Sequence, residues 1–90
     1  MQVHIDSEVE RDLGWSFEAQ VGARRVNVTL SWADYNYWSP DGRDEPSYVA
    51  SVVLELMSEL GPENIPLRFD ASMVRRVIEG SDERVRGHMR

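Results

Sequence analysis

Cysteine is absent from this chain of 90 residues, and disulfide frameworks, thiolate metal centres and a cysteine nucleophile are excluded with it. Lysine is absent as well, so all ten basic side chains are Arg. No run of about 18 apolar residues occurs, and Met1-Gln2-Val3-His4-Ile5-Asp6 has neither the basic stretch nor the long apolar segment of a secretion signal. The chain is therefore expected to be cytoplasmic, with no membrane-spanning segment. Asn27-Val28-Thr29 fits the glycosylation acceptor pattern but, without a secretion signal, reads as part of a strand. Histidine is scarce: His4 stands near one end, His88 near the other, and neither lies in a motif. There is no Gly-x-Ser-x-Gly elbow, so acyl transfer has no support. No catalytic residue, metal ligand or cofactor is assigned, and the chain is expected not to be an enzyme.

Sixteen acidic residues against ten Arg give a net charge of −6. A negative field opposes the counterion release that drives binding to phosphate backbones, which disfavours nucleic acid as a partner. The charge is uneven. The first 67 residues hold twelve acids and four Arg, whereas the last 23 hold four acids and six Arg. A mildly basic end follows an acidic body.

Ninety residues suffice for one core and are close to the size at which a single core is marginal, so sheet and helices must share it. Val26, Val28, Leu30 and Trp32 alternate with Asn27, Thr29 and Ser31, the period of a strand with one dry face. Trp15, Phe17, Ala19 and Val21 alternate in the same way just before, and Gly22-Ala23-Arg24 separates the runs at hairpin distance. Met1, Val3, Ile5 and Val9 extend the pattern upstream, with Arg11-Asp12-Leu13-Gly14 as the turn. Ser7-Glu8-Val9-Glu10 is also a capping-box pattern, which leaves a short helix ending at Gly14 as the alternative for residues 7–13. The expectation is a three-stranded antiparallel meander over residues 2–9, 15–21 and 25–33.

Ala33 to Asp44 reads as a strand end passing into a loop, with Pro40-Asp41-Gly42 as a type I turn. A helix over 46–60 follows, opened by Pro46 and closed by Gly61 and Pro62. Val49, Val52, Val53, Leu56, Met57 and Leu60 form its apolar stripe, and Leu54 with Ala50 widens the dry face. Asp70 reads as the N-cap of a second helix over 70–79, with Phe69 and Val74 as a hydrophobic staple. The fold class is α+β, with both helices on one face of the sheet and residues 1–80 forming a single domain. Ser81 to Arg90 has two apolar residues in ten and is expected to be a disordered tail.

Val28-Thr29-Leu30 followed by Tyr35, then Pro46 and Val49 opening a helix, then Ile65 and Phe69-Asp70, form a motif order that resembles a group of small uncharacterised bacterial proteins. Those proteins have a tryptophan-led strand, here at Trp15, a V-T-L strand followed by a tyrosine, a proline-opened helix, and F-D before a final helix. The resemblance spans roughly residues 14–80, but the loop from Trp38 to Glu45 and the pair Arg75-Arg76 fall outside it. It implies the fold and no particular chemistry.

Three clusters remain as candidates for function. Asp34, Asp41, Asp44 and Glu45 gather oxygen ligands near one loop, in a spacing that matches no calcium loop; turn formation and the helix start account for them. Trp32, Tyr35, Tyr37 and Trp38 put four large aromatics into seven residues. Trp32 is assigned to the core, and Tyr37 falls on the face opposite Trp38, so part of the cluster is expected to be exposed beside Arg43. That combination is hot-spot chemistry for protein interfaces. Arg68, Arg75, Arg76, Arg84, Arg86 and Arg90 form the third group, suited to pairing with the chain's own acids or with an acidic partner. The expected role is a non-enzymatic protein-interaction module, with self-association as a homodimer included. Its candidate surface is Tyr35, Tyr37, Trp38, Arg43, Tyr48, Leu54, Arg75 and Arg76. The alternative is a small-ligand or nucleic-acid binding domain using the aromatic loop and the C-terminal arginines.

Overall fold

Alternating side chains bury one face of a sheet only where neighbouring strands keep the same phase. In a computed structural model, which describes residues 3–89, β2 (Gly14–Val21) and β3 (Arg24–Ser31) meet that condition by pairing antiparallel, with Phe17 opposite Val28 and Ala19 opposite Val26. Trp15, Phe17, Ala19, Val21, Val26, Val28 and Leu30 are all buried. The other face stays polar: Asn27 donates to Glu18 at 2.7 Å and to Ser16 at 3.2 Å. Met1 and Gln2, at the expected start of the first strand, and Arg90, among the C-terminal arginines, lie outside the described residues.

β1 (Val3–Arg11) pairs antiparallel with β2 and completes the meander, so residues 7–10 are strand rather than helix. A bulge between Ile5 and Ser7 changes the phase. Val3 and Ile5 lie opposite Val21 and Ala19 and pack against the core, but beyond the bulge the inward positions pass to Glu8 and Glu10, opposite Phe17 and Trp15. Val9 faces Ser16 on the polar side, 46% exposed, and does not continue the inner stripe as expected. One extra residue reverses every side chain after it. At the turn, a Cβ on Gly14 would come within 2.0 Å of the Leu30 carbonyl oxygen, so this close approach of β2 to β3 requires glycine.

The sheet has four strands rather than three. β4 (Arg68–Asp70) lies parallel to β3 with Phe69 opposite Val28, giving a mixed sheet in the order β1-β2-β3-β4. The expected helix over 70–79 is therefore divided into the end of β4, a 3-10 turn at Ala71–Met73 and the short α3 (Val74–Val77). Asp70 still caps this segment, accepting from the Ser72 N–H at 3.0 Å, and it also accepts from the Thr29 hydroxyl at 2.7 Å.

A parallel neighbour for β3 needs a crossover connection, and helices supply it. α1 (Trp32–Trp38) occupies the segment expected to be strand end and loop. Its start is fixed by Ser31, whose hydroxyl accepts from the Asp34 N–H at 3.0 Å, so β3 ends at Ser31 instead of running to 33. α2 (Pro46–Met57) starts at the expected proline but stops at Met57, and a 3-10 turn at Ser58–Leu60 leaves Leu60 exposed. Its stripe of Val49, Val52, Val53, Leu56 and Met57 lies on the sheet. Because α1, α3 and α4 also touch α2, Leu54 on its far side is fully buried.

The expected disordered tail is instead a helix, α4 (Ser81–Gly87), whose Val85 is fully buried in the common core. Composition undercounts what holds it. Trp38 donates to Asp82 at 2.8 Å, Arg84 to Glu59 at 3.0 Å and Tyr48 to the His88 carbonyl at 3.2 Å, all across long stretches of sequence. Two substitutions check these assignments. Val85→Ala is expected to cost about 2 kcal/mol in urea unfolding, where a disordered tail would register no change. Gly14→Ala is expected to cost about 2–3 kcal/mol through the collision with Leu30, or to prevent folding outright.

Candidate functional site

Helix α1 divides its side chains between two environments. Tyr35 and Trp38 are buried, whereas Trp32, Ala33, Asn36 and Tyr37 are exposed, and these four positions share one face of a helix. Trp32 is 44% exposed and Tyr37 is 47% exposed, one near each end of the face. Trp32, expected in the core, instead caps it: its ring lies 4.3 Å from that of Trp15 and 6.3 Å from that of Tyr35. Leu13 in the β1–β2 turn accepts a hydrogen bond from the Trp32 N–H at 2.8 Å and adds a side chain that is 81% exposed.

At the other end of α1 a guanidinium organises three helices. Arg75 of α3 donates to Asp34 of α1 at 2.8 Å and to Asp82 of α4 at 2.8 Å, and lies 4.7 Å from the Trp38 ring centre and 5.4 Å from that of Tyr37. Trp38 donates its ring N–H to the same Asp82 oxygen. Arg86 of α4 stacks over Tyr37 at 4.8 Å. An open cleft of about 350 Å³ runs beside this group, lined by Tyr37, Arg75, Asp82 and Arg86 among others. Burial pushes the Asp82 carboxyl upward, but the hydrogen bonds from Trp38 and Arg75 outweigh it and hold the group below its ordinary value of 3.8.

Of the residues expected to form a partner surface, Tyr37, Trp38 and Arg75 come together here. Trp38 is fully buried and serves as the floor of the cluster, not as part of its surface. Tyr35 is also buried, its hydroxyl donating to the Asp44 carbonyl, and Leu54 lies in the core; neither can contact a partner. Arg43 and Tyr48 line a second open cleft of about 430 Å³ with Asp44 and Glu45. Arg76 is exposed on α3. The four acids near the loop do not converge, since Asp34 is engaged by Arg75 and the buried Asp44 accepts from the Ser39 hydroxyl at 2.9 Å. Among the described residues, no three His, Cys, Asp or Glu are placed to share a metal ion. No buried side-chain polar atom there lacks a hydrogen-bond partner.

Trp32 as a surface residue and Asp82 as an anchor were not anticipated from sequence. Both carried a signal. Ser31-x-x-Asp34 is a capping-box spacing that turns Trp32 to Trp38 into a helix, and Asp82-Glu83 followed by Arg84 and Arg86 places charges as a helix dipole favours.

In comparison with known proteins, the chain matches no protein-family model, no curated protein and no solved structure. No helix among the described residues is long and apolar enough to cross a membrane.

The cluster's electrostatics can be tested through stability. Asp82→Asn keeps an acceptor for Trp38 but removes the charge facing Arg75, and is expected to cost about 1 kcal/mol at pH 7. A depressed carboxylate contributes stability above its unfolded pKa and loses it as pH falls through the folded one. The gap between the native chain and the variant is therefore expected to close progressively below pH 3.8 in urea titrations followed by tryptophan fluorescence. A gap independent of pH would show that Asp82 acts through packing alone.

Proposed function

We propose that this chain is a non-enzymatic protein-interaction module whose contact surface is the outward face of α1, from Leu13 and Trp32 to Tyr37 and Arg86. The observation that carries the proposal is that two large aromatics are exposed and yet held in place. Trp32 rests on Trp15 and Tyr35, and Tyr37 lies under Arg86. An aromatic already fixed in one orientation loses little entropy when a partner covers it, and Trp, Tyr and Arg are the side chains that dominate interface energetics. The face is thus prepared for contact at small cost.

The charge balance and the absence of a catalytic motif support the same reading. Both clefts are open and lined by mixed charges, which favours a protein surface over a small anion or a nucleic-acid strand as the partner. The partner is either a different protein or a second copy of this chain.

The paired variant Trp32→Ala, Tyr37→Ala tests the proposal, with circular dichroism to establish that the fold is retained. Light scattering tests self-association, and a partner captured with the native chain is purified and titrated against both forms. Each side chain is expected to account for about thirtyfold in affinity. Equal binding by both forms would rule this face out. Tight binding of mixed oligonucleotides, lost at high salt, would replace the protein-partner reading with the nucleic-acid one.

A further inference from the structure

We infer that the free edge of β1 is a second docking site, which takes up an extended basic segment of a partner protein by strand addition opposite Glu8, Val9 and Glu10. The sheet order leaves β1 at an edge, and its nine residues make it the longest strand in the sheet. An unpaired strand presents a row of N–H and C=O groups to any extended chain that can align with them. Neither lysine nor proline blunts this one. The bulge lies at Asp6, so the stretch from Ser7 to Arg11 pairs with β2 in unbroken register.

The side chains select the occupant. Glu8 and Glu10 face the helix side of the sheet, both exposed, and neither carboxylate makes an ion pair or hydrogen bond with a described residue. Asp6 differs, being engaged by His4 at 3.2 Å and Arg25 at 3.6 Å. A strand added at this edge would set its own residues directly opposite Glu8 and Glu10, where opposite charges attract and like charges repel. A second copy in antiparallel register would bring acids against acids. A segment carrying Arg or Lys would neutralise them. Acids alone would serve merely to keep edges apart, but Val9 between them presents a branched apolar side chain on the opposite face, 46% exposed. The complementary segment therefore reads basic, apolar, basic in alternation.

The test uses the whole chain and a blocked heptapeptide alternating arginine and valine. Amide NMR is expected to show shifts confined to β1 and the adjoining β2, with hydrogen exchange at residues 7–11 slowed about tenfold at saturation. Three comparisons separate strand addition from simple charge attraction. N-methylation of alternate peptide bonds on the paired edge should abolish binding. The charge reversal Glu8→Arg, Glu10→Arg, at two exposed positions, should weaken the arginine peptide at least about fivefold and admit its glutamate–valine counterpart. The Trp32→Ala, Tyr37→Ala variant should bind the arginine peptide unchanged, which keeps this site distinct from the face of α1. Equal binding of the N-methylated peptide, no response to charge reversal, or shifts centred on α1 would each overturn the inference.

Discussion

The dry layer between β2, β3 and the stripe of α2 is the constraint on which the rest of the molecule depends. Phe17 and Val28 sit opposite one another at its centre, and Val49, Val53 and Met57 close over the sheet from the helix side, all without solvent exposure. In a chain this short one shared core has to offset the ordering of the backbone. The turn at Gly14, the parallel β4 and the crossover through α1 are arranged so that this layer is complete.

Around that layer the remaining helices are held by polar contacts of high sequence separation. Trp38 is fully buried, so its ring N–H must have an acceptor. The acceptor is Asp82, and Arg75 ties the same carboxylate to Asp34. α1, α3 and α4 are thus joined through one guanidinium and two carboxylates. The same arrangement holds Tyr37 at the surface, which links the packing of the core to the proposed contact face.

The two proposed surfaces differ in kind. The face of α1 carries exposed aromatics packed on neighbouring rings and a guanidinium, whereas the edge of β1 carries backbone groups between carboxylates that have no partner among the described residues. They meet near Leu13 and Asp12 in the β1–β2 turn, where the chain passes from one to the other.

The alternation of β2 and β3 and the stripe of α2 were legible in the sequence because each depends on side chains within one element, whose period declares which face is dry. Asp70 as a cap was legible for the same local reason. The reversal of Val9 was not, since a bulge is a matter of pairing and leaves no mark on the pattern of one strand. The short β4 was hidden because three residues carry no period, and α4 because one buried valine is supported by acceptors and donors far away in the chain. Of the expected surface, Tyr37 and Arg75 stand where a partner can approach them, while Tyr35, Trp38 and Leu54 are buried by elements that no local pattern connects to them. The sequence by itself determined the fold class, the main sheet and its covering helix, because hydrophobic periodicity is a property of the chain. Tertiary structure alone decided which aromatics face solvent, which carboxylates are paired and where the sheet ends, because exposure and pairing belong to the space between elements.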